Sequence, residues 1–218
     1  MRIVIIGGVA AGPKTGAKIK RLQPDAEVIL IEKGKFLSYA GCGFPYYIGG
    51  KVKHRDELMN TPMGVVRDDR YFQNVKGIKV LLMREAIAID RQRKVVKIKD
   101  INTGECEELS YDKLMIATGS YCSVPPIPGK DLKNVFILHS VEHAEAIKQC
   151  ASQVKNAVIV GGGLIGVEVS EALAELGITT TIVEVAPQIL SIVDAEMARF
   201  VEKYLNSKGI NVITSTNV

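Results

Sequence analysis

The sequence predicts an α/β fold made of two βαβ units, one at each end of the chain, with an antiparallel β-meander inserted in the first. Three observations predict it. Residues 2–6 (RIVII) and 157–161 (AVIVG) are apolar runs that each lead into a glycine-rich turn and a helical pattern. Apolar runs alternating with helices mark parallel strands covered on both faces. Between them, short strand-like pieces are separated by polar turns, the pattern of an antiparallel ladder.

Taken in order, residues 2–6 read as a strand, 10–22 as a helix and 28–31 as a second strand. Residues 34–62 are rich in Gly, Tyr and Pro and have no period; five aromatics (Phe36, Tyr39, Phe44, Tyr46, Tyr47) argue against disorder there. A long irregular segment of this kind in a compact domain is usually functional. The pieces KVLLM, AIAID, VVKIK and ECEEL, from about residue 78 to 111, form the expected meander, with turns such as DRQRK and NTGE. Residues 113–117 return to a buried strand, Pro125, Pro126, Pro128 and Gly129 mark a linker, and 140–152 read as a helix. The opening pattern then repeats: strand AVIVG, helix 164–176, strand 179–184, helix 194–206 and strand 211–214. The domain reading is 1–150 for the first unit and 151–218 for a shorter second unit, whose last strand is an open edge.

Composition narrows the function classes. A hydrophobic content of 47% over 218 residues suffices for one large core or two small ones. The net charge of +4 comes from scattered basic residues, so there is no nucleic-acid footprint. No run approaches the roughly 18 apolar residues of a membrane span. The opening MRIVIIGG runs straight into a turn and helix, so it reads as a strand and not as a signal core. Cys42, Cys106, Cys122 and Cys150 fit neither a zinc site nor a disulfide framework, and His54, His139 and His143 have no metal spacing. A reduced, cytoplasmic protein without a metal is expected.

The chemistry is carried by the two turns. Gly161, Gly163 and Gly166 form G-x-G-x-x-G between a strand and a helix. The first allows a tight turn, the second lets backbone approach a pyrophosphate, and the third permits close helix–strand packing. Leu164 and Ile165 open the helix, whose free N–H groups favour negative charge. Glu184 ends the next strand, 18 residues after Gly166, where a carboxylate takes ribose hydroxyls. That carboxylate repels a 2′-phosphate, and residues 185–189 (VAPQI) offer no cation, so NADH is expected over NADPH. The first turn is a worn copy: Gly7 and Gly12 hold the outer positions, Val9 replaces the middle glycine, and Gly8, Ala10 and Ala11 keep the turn small. Glu32 closes the second strand 20 residues after Gly12.

A separate feature is SYAGCGFPYYIGG, residues 38–50. Cys42 has no cysteine nearby, so a reactive thiol here would cycle through a mixed disulfide or a sulfenic acid. Gly41 and Gly43 leave the sulfur approachable. If Cys42 begins a short helix through Tyr47, the helix N-terminus favours the nucleophilic form.

Four patches in order, IVIIGGVAAG, EKGKFLSYAGCGFPYYIGG, YDKLMIATGS with PPIPG, and VIVGGGLIGVEVSEAL with VEVAPQIL, carry a resemblance. The chain resembles the single-cysteine branch of the pyridine nucleotide–disulfide oxidoreductases, nearest to coenzyme A-disulfide reductases and NADH-dependent persulfide or polysulfide reductases. The resemblance implies two Rossmann-like units. The first would bind FAD through Gly7, Gly8, Ala10, Ala11, Gly12, Glu32, Lys33 and the segment Ala117, Thr118 and Gly119. The second would bind NADH through Gly161, Gly163, Leu164, Ile165, Gly166 and Glu184. It implies Cys42 as the redox cysteine, with Ser38 toward a small disulfide or persulfide substrate, including one linked to coenzyme A. Lys18 and Arg21, one helical turn apart, read either as receiving the phosphates of coenzyme A or as part of a solvated helix face. The resemblance also implies a homodimer for the whole family fold, and a C-terminal part that these 218 residues do not contain. Two departures matter. Peroxidases and oxidases of the family carry a histidine where this chain has Ala10, and coenzyme A-disulfide reductases commonly carry Asn where it has Gly41. The leading expectation is transfer of electrons from NADH through FAD to sulfur at Cys42. An NADH oxidase or peroxidase-type flavoenzyme, and a non-catalytic nucleotide-binding fragment, are the alternatives.

Overall fold

A computed structural model describes all residues, 1–218. The chain forms two compact units, Met1–Ala40 with Asp56–Tyr121, and Gly41–Arg55 with Cys122–Val218. These differ from the segments 1–150 and 151–218: the cysteine segment and everything from Cys122 group with the second βαβ unit.

In the first unit, β1 (Arg2–Ile6), β2 (Glu27–Ile31), β3 (Ile78–Leu81) and β7 (Lys113–Ile116) form a parallel sheet in the order β3-β2-β1-β7. Side chains alternate across it. One face carries Ile3, Ile5, Val28, Leu30 and Ile78, packed with Phe72 and Leu37. The other carries Val4, Ile6, Ile29 and Ile31, packed with Val96 and Ile98 of the meander. The inner strands β1 and β2, covered on both faces, need no polar face and read as unbroken apolar runs, whereas Ile116 of β7 is 62% exposed.

The meander is β4 (Arg84–Asp90), β5 (Val95–Asp100) and β6 (Cys106–Ser110), in antiparallel order β4-β5-β6. KVLLM, expected as its first piece, instead supplies β3 of the parallel sheet. A short apolar run reads the same in either sheet, and only its partner β2 decides between them. The Asp90 carboxylate accepts from the N–H groups of Gln92 and Arg93, and that of Asp100 from Asn102 and Thr103, closing the two turns.

Helix α1 (Ala11–Leu22) follows β1. A helix without a sequence-level expectation, α3 (Asp69–Lys76), precedes β3; the Asp68 side chain caps it by accepting from Tyr71 N–H at 2.8 Å, and left-handed Gly77 ends it.

The second unit repeats the first. β8 (Asn156–Val160), β9 (Thr179–Val183) and β10 (Asn211–Ile213) form a parallel sheet in the order β10-β9-β8, with α5 (Leu164–Glu175) and α6 (Ala195–Ser207) as connections. Its core is Ile182, Ile189, Leu205 and Ile210, with Ile159 and Val212 against them. On the opposite face Val158 and Val160 are 63% and 53% exposed. α4 (Val141–Ala151), capped by Ser140, and the short α2 (Phe44–Ile48) complete the unit. No helix is long and apolar enough to cross a membrane.

Candidate functional site

The two glycine turns have the same backbone. Gly7 and Gly161 sit at φ +109° and +105°, where a side chain is strained. Each N–H donates at 2.8 Å to the last residue of the neighbouring strand, Ile31 or Val183. A Cβ on Gly12 would lie 1.9 Å from the Gly7 carbonyl oxygen, and one on Gly166 would lie 2.1 Å from that of Gly161. The third glycine is therefore required by the turn itself. A Cβ on Gly163 meets nothing, so the space above that position is open for a ligand.

Each turn is latched by the acid that ends the second strand. The Glu32 carboxylate accepts from Gly8 N–H and Gly34 N–H, both at 2.6 Å. The Glu184 carboxylate accepts from Gly162 N–H and Ala186 N–H, both at 2.7 Å. Charged acceptors make the stronger kind of hydrogen bond, and two of them fix the rotamer of each acid. Gly162 was not singled out in the sequence, yet it donates to Glu184 and a Cβ there would stand 2.5 Å from Ile189 Cγ2. Its counterpart Gly8, two positions along from the end of β1 in the repeat, was the available signal.

The helices beyond the turns begin differently from their neighbours. α3 and α4 have side-chain caps and an acidic residue in the first turn. α1, with Ala10 and Ala11 at its start, and α5, with Gly163, Leu164 and Ile165, have neither. Their first N–H groups and positive dipole ends are left for an anion. A glycine cradle, an uncapped helix end and a fixed acid together fit a dinucleotide in each unit.

The remaining expected residues fall as follows. Ala117, Thr118 and Gly119 follow β7; Ala117 N–H donates to the Ile6 carbonyl, and the Ala117 carbonyl would lie 2.1 Å from a Cβ on Gly7. Ala117 and the Thr118 nitrogen thus abut the first turn. Ser38, at φ +49°, donates its N–H to the Gly8 carbonyl at 2.9 Å, bringing it to the same turn. Lys33 pairs with Glu85 at 2.7 Å and points to the meander. Lys18 and Arg21 lie exposed on α1. A concavity of about 350 Å³ beside Arg2, Glu27 and Asp112 is at the opposite end of β1 from Gly7, whereas ligands of such sheets bind at the carboxyl ends of strands.

Cys42 lies in a 3-10 turn, Gly41–Gly43, and is exposed; α2 begins two residues later, at Phe44, so the cysteine precedes the helix and does not open it. Pro45 near the start of α2 suits a first helical turn, and Phe44, Tyr47 and Ile48 are buried. No group of three His, Cys, Asp or Glu side chains is arranged to hold a metal ion.

The model of the pyridine nucleotide-disulphide oxidoreductases matches residues 1–218. The chain is 36% identical over 219 residues to an NADH oxidase of Methanocaldococcus jannaschii, covering 99% of this chain and 47% of that protein. It is 32% identical over 211 residues to a coenzyme A disulfide reductase of Staphylococcus haemolyticus, covering 96% and 46%. The structure of an NAD-dependent persulfide reductase from A. fulgidus superposes with a TM-score of 0.97 at 44% identity, covering all of this chain and 40% of that one. The chain thus spans about half the length of the relatives it matches. With a match along its whole length, the chain belongs to the pyridine nucleotide-disulphide oxidoreductase family.

Proposed function

We propose that this chain is the dinucleotide-binding and cysteine-bearing portion of a flavoprotein that passes electrons from NADH to a small disulfide, persulfide or polysulfide. The observation that carries it is the acid-latched glycine turn, present twice in one chain that also bears an exposed cysteine. FAD is assigned to the turn of Gly7, Gly8, Ala10, Ala11, Gly12 and Glu32, within the domain read as 1–150. NADH is assigned to Gly161, Gly163, Leu164, Ile165, Gly166 and Glu184, in the domain read as 151–218. Bound FAD would supply the two-electron relay between nicotinamide and sulfur.

The work of the chain's own residues is to bind and to attack. The Cys42 sulfur, as thiolate, attacks one sulfur of the substrate; a mixed disulfide forms, the substrate S–S bond breaks and one thiolate leaves. Two electrons, from NADH, then break the mixed disulfide, releasing the second thiolate and restoring Cys42. Ser38, Lys18 and Arg21 are assigned to the substrate, the two cations to phosphates of a coenzyme A-linked one. A second reading, an NADH oxidase, is favoured by the name of the M. jannaschii relative and opposed by Ala10, which supplies no basic partner for a sulfenate. A nucleotide-binding fragment without turnover is the reading from another class.

The experiment is a spectrum of the purified protein, an NADH titration, and turnover with coenzyme A disulfide and with polysulfide. Flavin bands that bleach with NADH, and sulfur reduction lost in Cys42→Ser, are expected. Parental turnover in Cys42→Ser would exclude the sulfur mechanism, oxygen consumption without a disulfide would favour the oxidase, and a colourless protein would favour the fragment.

A further inference from the structure

Gly49 is the C-terminal cap of α2, at φ −71° and ψ −3°. Any residue adopts that conformation, and alanine prefers it over glycine next to a helix. The glycine is therefore not required by its own backbone. Its surroundings are tight: a Cβ at this position would lie 3.2 Å from Ala172 Cβ, close enough that one side must yield by a few tenths of an ångström, and 3.4 Å from both Ala172 Cα and its carbonyl oxygen. Two small residues let α2 rest directly on the backbone of α5.

The same segment is held at other points of the second unit. Lys51 Nζ pairs with Glu175 at 2.8 Å, one turn beyond Ala172 on α5. Lys148 Nζ of α4 lies 3.8 Å from the centroid of the Tyr47 ring. Arg55 pairs with Glu145 of α4 at 3.0 Å. The ion pairs are partly exposed and weak individually. The Gly49–Ala172 contact is steric. Cys42 lies in the turn that leads into this clamped helix.

We propose that Gly49 and Ala172 are positioning residues for Cys42: their close approach seats α2 on α5 and so sets where the cysteine turn stands. The helix that begins at the Gly161 turn thus also carries, about 12 Å along its axis at 1.5 Å per residue, the seat of the cysteine segment. This rests on the reading of Cys42 as the redox thiol, but its test does not use turnover.

The test is the alkylation rate of Cys42 by iodoacetamide in the whole chain, read by mass spectrometry of the Cys42 peptide so that exposed Cys106 does not contribute. In Gly49→Ala the added methyl pushes α2 and α5 apart by a few tenths of an ångström, and the Cys42 rate is expected to rise about threefold as the turn shifts. Ala172→Gly, added to Gly49→Ala, returns the space and restores the parental rate. Melting temperature is measured alongside. A lowered melting temperature with an unchanged Cys42 rate assigns Gly49 to packing alone and overturns the proposal. A rate unchanged throughout, or raised but not restored by the swap, overturns it as well. Retained turnover in Cys42→Ser removes the redox reading while leaving the alkylation result standing, so the two failures are distinct.

Discussion

Glu184 holds the backbone N–H of Gly162 at 2.7 Å, so the residue at the end of one strand locks the turn at the end of the next. The same oxygen pair accepts from Ala186, and the carboxylate is thereby aimed before any ligand arrives. Removing it takes away the latch and, on the proposed NADH assignment, the ribose acceptor. Glu184→Ala is expected to weaken NADH binding about tenfold or more, the size of one lost hydrogen bond to a charged group. Adding Val185→Arg supplies a cation for a 2′-phosphate, and the double variant is expected to prefer NADPH. Titration of both nucleotides by calorimetry checks this; a double variant that still prefers NADH contradicts the assignment.

Val4 and Val158 occupy the same place in the two units, three residues before Gly7 and Gly161. Val4 is fully buried beneath the meander, whereas Val158 is 63% exposed. Val4→Ala is expected to cost about 2 kcal/mol, combining lost burial with a cavity. Val158→Ala is expected to stay within about 0.5 kcal/mol. Urea unfolding of both variants, followed by circular dichroism, makes the comparison.

Gly7 and Gly161 separate backbone strain from steric overlap. Both have positive φ, but only Gly7 has a carbonyl, that of Ala117, within 2.1 Å of a would-be Cβ. Gly161→Ala is expected to cost roughly 1–3 kcal/mol from strain alone. Gly7→Ala adds the clash and is expected to cost more. Equal melting temperatures for the two variants would show that the Ala117 segment moves aside freely.

The exposed pair Lys33–Glu85 predicts a pH effect of known sign. The hydrogen bond from Lys33, and then its charge, hold the Glu85 carboxyl below its ordinary range. A depressed carboxyl stabilises the fold above its unfolded-state value, and that contribution is lost as pH falls through the folded-state value. The stability difference between the parent and Glu85→Gln is therefore expected to be present at neutral pH and to vanish in acid. High salt should shrink it at neutral pH as well. Thermal melts across that pH range, at low and high salt, measure both.

Much was legible in the sequence because it is local. Apolar runs with glycine turns determined β1, β8 and the helices after them, and the acids Glu32 and Glu184 lay at readable spacings. The cap of α3 by Asp68 was equally local, but no apolar period announced a helix only eight residues long. Other features were not local. Whether KVLLM joined the parallel sheet or the meander depended on pairing with β2, which lies about 50 residues earlier in the chain. That Gly162 and Gly8 serve the acids became visible only when strand ends met. The grouping of the cysteine segment with α4 and α5 depends on contacts between Gly49 and Ala172 and between Tyr47 and Lys148, pairs separated by a hundred residues or more. The sequence by itself determined the two turns and their chemistry, because turn geometry and charge act over a few residues. Tertiary structure decided which unit holds Cys42 and which valines are covered, because burial depends on what the rest of the chain brings to that face.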